Sequence, residues 1–233
     1  MKVVILAGGL GSRLSEYTKL IPKPMVKILR VPIIVRIIKY YVKFGYNDFI
    51  IAAGYKSWII KRYFKKNLKD LNIKVIDTGK NTMTGGRIKR LKKILETERF
   101  LLTYGDGLSN VNINDLLKFH IKKKNYVTLT AVRPPARFGG IKISRSKVKY
   151  FKEKSILDEG WINGGFFVLN KKIFNYLGKN SVWENKPLAD LAKKGQLNAY
   201  KFNGFWYAMD TIRDKEYLEN LLINKKAPWR YLK

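Results

Sequence analysis

Short apolar runs alternate along the chain with segments in which apolar residues recur every three or four positions. The runs predict strands at residues 3–7, 49–53, 100–104, 126–132, 141–143, 147–151 and 166–169. The helical spacing predicts helices at residues 32–44, 56–66 and 87–95, and in a segment that Asn112 can cap and that contains Leu116, Leu117 and Ile121. Strands that alternate with helices require right-handed crossovers. We therefore predict an α/β fold with a three-layer, mostly parallel, Rossmann-like sheet, formed as one domain by residues 1–233.

The first predicted strand opens into a loop with almost no side chains. It is followed directly by Gly8, Gly9 and Gly11, and then by Ser12 and Arg13. Glycines permit positive φ and let a ligand approach successive backbone N–H groups, and an arginine can bind phosphate oxygens through two parallel hydrogen bonds. This combination predicts a nucleoside triphosphate as the ligand, although a tight strand-to-helix turn can use the same glycines without any ligand.

Two other glycine-rich phosphate loops do not fit this segment. A P-loop ends in Gly-Lys-Ser/Thr, whereas Gly11 is followed by Ser12 and Arg13. The dinucleotide fingerprint needs a third glycine where the chain has Leu14, and an acidic residue about 20 positions further on, where residues 28–31 contain none.

A lysine between two prolines follows the glycine loop, in the segment Pro22-Lys-Pro-Met25. Prolines fix φ and disfavour helix for the residue before them. We therefore expect Lys23 on a stiff extended segment, as a preorganised charge for a transferring phosphate. A simple loop lysine between turn prolines is the alternative.

Two of the scarce carboxylates follow predicted strands. Asp106 stands between two glycines after the run at 100–104, and Asp210 follows the strand-like run at 205–209. Ligands bind at the carboxyl ends of parallel strands, and a pair of carboxylates suits a Mg²⁺ ion that also binds substrate phosphates. Each aspartate can instead cap a turn or a helix end, as Thr211 can for the last helix.

Composition narrows the class of protein. The chain has 233 residues, of which 46% are hydrophobic, enough for one full core. No apolar run approaches the roughly 20 residues of a membrane-spanning helix. The chain contains no cysteine, which excludes disulfides and thiol catalysis and favours the cytoplasm. The single histidine, His120, falls within a predicted helix and is interpreted as structural.

The net charge of +31, from 48 basic and 17 acidic residues, is typical of proteins that bind nucleic acids. The lysines, however, are spread along the whole chain in short clusters, without a basic tail, zinc-ligand spacing or an RNA-binding consensus. We therefore predict neither a nucleic-acid nor a membrane partner, and expect the positive field to attract anionic substrates.

Ordered motifs across nearly the whole chain resemble those of the sugar nucleotidyltransferases, also called nucleotide-sugar pyrophosphorylases. The first two are Leu6-Ala-Gly-Gly-Leu-Gly-Ser-Arg-Leu14 and Pro22-Lys-Pro-Met25. The others are Asp77-Thr-Gly79, Thr82-Met-Thr-Gly-Gly-Arg87, Tyr104-Gly-Asp-Gly107, Arg137-Phe-Gly139, Gly160-Trp-Ile-Asn-Gly-Gly-Phe-Phe167, Gly204-Phe-Trp206 and Met209-Asp-Thr211. Several motifs in one order are far more specific than any single one. The later motifs resemble those of the members that transfer a cytidylyl group to glucose 1-phosphate.

This resemblance implies a fold of the nucleotide-diphospho-sugar transferase type, with residues 1–233 as a single nucleotidyltransferase domain. It implies CTP and α-D-glucose 1-phosphate as substrates, Mg²⁺ as cofactor, and CDP-glucose and pyrophosphate as products of in-line attack at the α-phosphate. It also implies a homo-oligomer, because the resembling enzymes form hexamers.

The resemblance also implies roles for individual residues. Arg13 and Lys23 are assigned to catalysis. The nucleotide-binding residues are Leu6, Ala7, Gly8, Gly9, Leu10, Gly11, Ser12, Arg13, Lys23, Thr82, Arg87 and Gly105. The sugar-phosphate residues are Glu153, Lys154 and Asn163, and the metal ligands are Asp106 and Asp210. A guanidinium only donates hydrogen bonds, so Arg87 directed at O2 and N3 of cytosine would favour CTP over other pyrimidine nucleotides.

Three features depart from the family pattern. Ser12 replaces a threonine, and Ser155 replaces a proline after Glu153 and Lys154. The connection between Phe64 and Val75 is shorter than in the family, which puts the family's mode of assembly in question for this chain. The alternatives are uridylyl or thymidylyl transfer to a hexose 1-phosphate, and a non-catalytic regulatory subunit that retains the pocket. A metal-dependent glycosyltransferase is more remote, because it does not need Arg13 together with Lys23.

Overall fold

A central sheet and three short strand pairs organise the computed structural model, which describes residues 1–135, 140–152 and 160–230. The strands of the central sheet are β1 (Lys2–Ala7), β4 (Asp48–Ala53), β5 (Asn72–Asp77), β6 (Arg99–Tyr104), β8 (Val127–Val132), β11 (Ile162–Asn170) and β12 (Leu197–Phe202). Their order is β12-β8-β11-β6-β1-β4-β5. Strand β11 runs antiparallel to both neighbours, and the other pairs are parallel. The predicted mostly parallel α/β sheet is confirmed.

Helices cover both faces of this sheet. They are α1 (Ser15–Thr18), α2 (Ile33–Val42), α3 (Ser57–Lys66), α4 (Thr84–Arg90), α5 (Ile113–Lys123), α6 (Lys186–Lys193) and α7 (Ile212–Ile223). Val3 and Ile5 of β1 belong to the core that buries residues of α2, α3, α5 and α7. The intervening Val4 and Leu6 belong to a second core with residues of α4 and α6. Because side chains alternate along a strand, β1 is buried on both faces, and the fold has three layers.

Three short strand pairs lie outside the central sheet. They are β2 (Lys27–Ile28) with β3 (Val31–Pro32), β9 (Gly140–Ser144) with β10 (Lys147–Lys152), and β7 (Gly107–Ser109) with β13 (Trp206–Ala208). The last pair is antiparallel, with Ala208 opposite Gly107. This pairing brings the chain segments that precede Asp210 and follow Asp106 side by side.

Several boundaries differ from the predictions. The helix predicted at 87–95 begins at Thr84 and its regular part ends at Arg90. The segment around Lys23 was expected to be extended, but Lys23–Met25 forms a 3-10 turn that Pro22 precedes. Strands β5 and β12 were not predicted, because they lie at the sheet edges and alternate between partly buried and exposed positions, without a continuous apolar run.

The helices in the described ranges include none that is both long enough and apolar enough to cross a membrane.

Candidate active site

A cavity of about 530 Å³ opens at the carboxyl ends of β1 and β6. The predicted site residues that line it are Leu6, Ala7, Gly8, Gly9, Gly11, Ser12, Arg13, Lys23, Thr82, Arg87, Gly105, Asp106 and Asp210. Leu10 of the same loop is 53% exposed and does not line it. Further lining residues that sequence reasoning missed are Pro24, Met83, Thr84, Tyr104 and Ala208.

The glycine loop has the conformation that its sequence predicts. Gly11 has φ +68°, and a Cβ at this position would lie 2.8 Å from Cβ of Lys23. Both the dihedral angle and the close approach of the lysine segment therefore require glycine here. Gly9, in contrast, has no heavy atom within 4 Å of an ideal Cβ position. It borders open space, where a ligand can approach the backbone.

Lys23 joins the two carboxylates that follow the strands. Its ammonium nitrogen lies 2.6 Å from Oδ2 of Asp106 and 2.7 Å from Oδ1 of Asp210. Arg13 donates to the other oxygen of Asp210 at 3.1 Å, although its side chain is 75% exposed. Burial alone lowers the pKa of Lys23, but attraction by Asp106 and the hydrogen bonds to both carboxylates outweigh it and raise the pKa. Lys23 therefore stays charged.

The carboxylate pair fits a divalent cation. Asp106 and Asp210 are 83 and 187 positions from Lys23 in sequence, yet both reach the same ammonium group. Two carboxylates that converge on one cation can accept a hard metal ion whose other ligands are water and substrate phosphates. Within residues 1–135, 140–152 and 160–230, no group of three or more His, Cys, Asp or Glu residues is arranged to hold a metal ion.

Arg87 holds the loops behind the glycine loop together. The residue is only 3% exposed. Nη2 donates to the carbonyl of Gly8 at 2.8 Å, and Nη1 donates to the carbonyl of Ala53 at 3.1 Å and to Oγ1 of Thr78 at 2.7 Å. Further bonds reach the carbonyl oxygens of Gly79 at 2.8 Å and Lys80 at 3.3 Å. The guanidinium therefore ties the end of β4 to the loops that follow β1 and β5.

This arrangement modifies the expectation for Arg87. Both terminal nitrogens already donate to protein acceptors. The guanidinium is therefore a structural part of the cavity wall, in addition to being available to a ligand. The guanidinium also explains two glycines, since a Cβ on Gly8 or Gly54 would lie 2.1 Å or 2.3 Å from its atoms. Contact between Arg87 and a base stays a prediction.

The two glycines before Arg87 allow two chain segments to pack closely together. A Cβ on Gly85 would lie 2.6 Å from Oγ of Ser181, and one on Gly86 would lie 2.7 Å from the carbonyl oxygen of Lys179. The Gly86 N–H donates to the Ser181 carbonyl at 3.0 Å. These glycines let the segment before α6 lie directly against the start of α4.

Asn163 lies at the edge of the same region. Its Nδ2 donates to the Tyr104 hydroxyl at 3.2 Å, and its Oδ1 accepts from the Gly165 N–H at 2.9 Å. Glu153 and Lys154, the other predicted sugar-phosphate residues, lie outside the described residues. His120 lies in α5 with Nδ1 2.9 Å from Oγ1 of Thr128, and burial lowers its pKa to about 4. It is buried in the core, as its structural interpretation requires.

Comparison with known proteins agrees with this geometry. The nucleotidyl transferase family matches residues 2–210. The glucose-1-phosphate cytidylyltransferase of Salmonella typhi is 44% identical, over 99% of both chains. A probable glucose-1-phosphate cytidylyltransferase of Bacillus subtilis is 42% identical, over 92% of this chain and 93% of the relative.

The fold also matches solved structures. The crystal structure of HddC from Yersinia pseudotuberculosis superimposes with a TM-score of 0.75 at 27% identity, covering 95% of this chain and 99% of that one. The glycine loop, the lysine turn and the strand-end aspartates meet within the segment that the family profile covers. This chain belongs to the nucleotidyl transferase family.

Proposed function

We propose that this protein is a glucose-1-phosphate cytidylyltransferase, which converts CTP and α-D-glucose 1-phosphate into CDP-glucose and pyrophosphate. The observation that carries the proposal is 44% identity, along 99% of both chains, to an enzyme of that name. The cavity supports it, because a glycine loop, Lys23 and two strand-end carboxylates meet there.

The reaction needs no nucleophile from the protein. An oxygen of the sugar phosphate attacks the α-phosphorus, a new P–O bond forms in line, and the bond to the β-phosphate breaks as pyrophosphate leaves. Catalysis of such a step consists of positioning and charge neutralisation. The proposed roles follow from that requirement.

We assign the triphosphate to the backbone N–H groups of residues 8–11 and to Arg13, whose side chain is 75% exposed and can turn toward a ligand. Lys23 neutralises charge at the α-phosphate. Asp106 and Asp210 would hold Mg²⁺, which would supply positive charge to phosphate oxygens. The proposal further assigns Glu153 and Lys154 to the sugar phosphate, and Asn163 to a sugar oxygen.

Pyrophosphate release across a matrix of four nucleoside triphosphates and several sugar 1-phosphates tests the function. We expect the highest kcat/KM with CTP and glucose 1-phosphate. Faster turnover with UTP or dTTP would replace the proposal with the corresponding uridylyl- or thymidylyltransferase. If folded protein with Mg²⁺ turns over no pair, the chain is a non-catalytic relative.

Selectivity for CTP over UTP is a separate expected result. Cytosine offers acceptors at O2 and N3, whereas N3 of uracil carries a hydrogen and donates. A buried donor left unpaired costs about 1–3 kcal/mol, so kcat/KM for CTP should exceed that for UTP by roughly ten- to a hundredfold. Comparable kcat/KM values for the two nucleotides would contradict base recognition by donors in this cavity.

Arg87→Met should lower both stability and selectivity. The substitution removes the bonds to Gly8 and Gly79, and buried acceptors left unpaired cost about 1–3 kcal/mol each. We expect the free energy of unfolding to fall by about 2–4 kcal/mol and kcat/KM for CTP by roughly ten- to a hundredfold, with much of the preference over UTP lost. Thermal denaturation and steady-state kinetics measure these effects.

Arg90→Met is the matched control, because Arg90 is an exposed arginine of the same helix and donates to the carbonyl of Thr78 at 2.6 Å. Its kinetics should stay close to wild type. An Arg87→Met protein that keeps its full CTP preference would show that another group reads the base.

We also propose that the protein is a homo-oligomer, by analogy with the hexamers of the resembling enzymes. The five residues 67–71 connect α3 to β5. Because this connection is shorter than in the resembling enzymes, we expect the contacts between subunits to differ from theirs at this place. Size-exclusion chromatography with light scattering measures the oligomeric state, and a monomeric mass would refute the proposal.

A further inference from the structure

Glu184, which none of the sequence motifs includes, binds two side chains of the cavity wall. It lies in the segment between Lys171–Tyr176 and α6. Its Oε2 accepts from Oγ1 of Thr84 at 2.6 Å, and its Oε1 accepts from the hydroxyl of Tyr104. Thr84 and Tyr104 both line the cavity, so one carboxylate connects two parts of the wall.

The direction of each hydrogen bond follows from the chemistry of these groups. An ionised carboxylate only accepts, so the Tyr104 proton points toward Glu184 and the hydroxyl oxygen is left to accept from Nδ2 of Asn163 at 3.2 Å. The Gly165 N–H at 2.9 Å requires the oxygen of the Asn163 amide on the opposite side. Among the residues that the structure describes, the second N–H of Asn163 has no acceptor, so it can donate to an acceptor oxygen of a ligand.

Tyr104 is the middle residue of this series of hydrogen bonds, and its ring is tightly packed. Its ring packs edge-to-face on Phe167, with centroids 5.9 Å apart. Gly165 has φ +77°, and a Cβ there would lie 2.3 Å from Cδ2 of Tyr104, so the strand passes directly over the ring. These contacts hold the Tyr104 hydroxyl in place as a donor to the Glu184 carboxylate.

We propose that Glu184 is a positioning residue for the sugar phosphate, which it serves by orienting the Tyr104 hydroxyl and, through it, the amide of Asn163. The inference rests on the proposed function, because Asn163 is the proposed contact to the sugar. Glu184 acts on the sugar side of the cavity and leaves nucleotide binding largely unchanged.

The segment around Thr84, on the nucleotide side of the cavity, has other hydrogen bonds that do not involve Glu184. The Trp183 N–H donates to Oγ1 of Thr84 at 2.8 Å, and the Met83 N–H donates to Oδ1 of Asn180 at 2.7 Å. Trp183 is fully buried, so it anchors the segment. Because Glu184 itself is exposed, truncating it leaves no internal cavity, and the variant protein should fold.

The test measures KM for the sugar phosphate and for the nucleotide separately, in Glu184→Ala, Glu184→Gln and Tyr104→Phe. Losing one oriented hydrogen bond is worth about 1–1.5 kcal/mol, so the alanine and phenylalanine variants should raise KM for the sugar phosphate roughly tenfold. KM for the nucleotide should stay within about twofold. The double variant should be no worse than either single one, because both substitutions break the same chain of bonds.

Glu184→Gln is the conservative variant. Its amide oxygen can still accept from Tyr104, so it should restore KM for the sugar phosphate to within about threefold of wild type. Glu98→Ala is the control, since Glu98 is a 59% exposed carboxylate that pairs with Arg99 at the opposite end of β6. Its kinetics should match wild type.

Equal increases in both KM values, additive effects in the double variant, or no rescue by glutamine would show that Glu184 only supports folding and would overturn the inference. An unchanged KM for the sugar phosphate in Glu184→Ala would overturn it as well, while the proposed function stands. If wild-type protein neither binds nor turns over any sugar phosphate, the proposed function fails and this inference falls with it.

Discussion

Replacing Asp106 or Asp210 with asparagine should reduce turnover at least about a thousandfold while the protein stays folded, because each change removes half of the protein charge available to a divalent cation. It also leaves Lys23 with one ionised partner instead of two. Asparagine has nearly the same shape as aspartate, and the side chains are 29% and 25% exposed, so packing is little affected. Pyrophosphate release, thermal denaturation and Mn²⁺ binding by electron paramagnetic resonance measure the three effects.

Asp190→Asn is a matched control, because the Asp190 side chain is 32% exposed and pairs with Lys186 at 3.0 Å away from the cavity. Its turnover and Mn²⁺ binding should equal those of the wild type. Unchanged activity in either Asp106→Asn or Asp210→Asn, or full wild-type activity in excess chelator, would refute the metal assignment.

Lys23→Met should lower kcat by roughly a hundred- to a thousandfold, the range measured when one preorganised donor to a developing charge is removed. Its side chain is 14% exposed and its ammonium is held between two carboxylates, so it is positioned before substrates arrive. The charge that it meets increases in the transition state, and the loss therefore falls on kcat, while both KM values change by less than about threefold.

Lys19→Met provides the comparison for Lys23→Met, because Lys19 is an exposed lysine of the same connection. Steady-state kinetics of this control should match the wild type. If Lys23→Met instead raises KM for one substrate and leaves kcat intact, Lys23 binds the ground state and does not stabilise the transition state.

Local sequence was sufficient to predict most of the framework of the site. The glycine loop, the strand before Asp106 and the cap of the last helix are each encoded within a few consecutive residues. Thr211 accepts from the Asp214 N–H at 3.2 Å, and Asp214 accepts in return from the Thr211 N–H at 2.8 Å, which confirms the cap. Such features depend on backbone dihedrals and near neighbours, so they can be predicted from a short window.

Contacts between distant segments were predicted less well. The assignment of Arg87 to the base stays a prediction, but the bonds that its guanidinium donates to Ala53 and Gly8, 34 and 79 positions away, were not predicted. Glu184 carries no motif signal, because its partners Tyr104 and Thr84 are 80 and 100 positions distant. The pattern of one sequence shows which positions are apolar or permissive, but not which loops will meet.

By itself, therefore, the sequence determined the strand and helix framework, the glycine loop and the types of charged group that a phosphate-transfer site needs. Only the tertiary structure decided that Lys23 lies between Asp106 and Asp210, and that Glu184 reaches the cavity wall. The physical reason is the sheet order β12-β8-β11-β6-β1-β4-β5, which brings non-consecutive strand ends together. Hydrogen-bond partners across those ends depend on distances in space, which local periodicity does not contain.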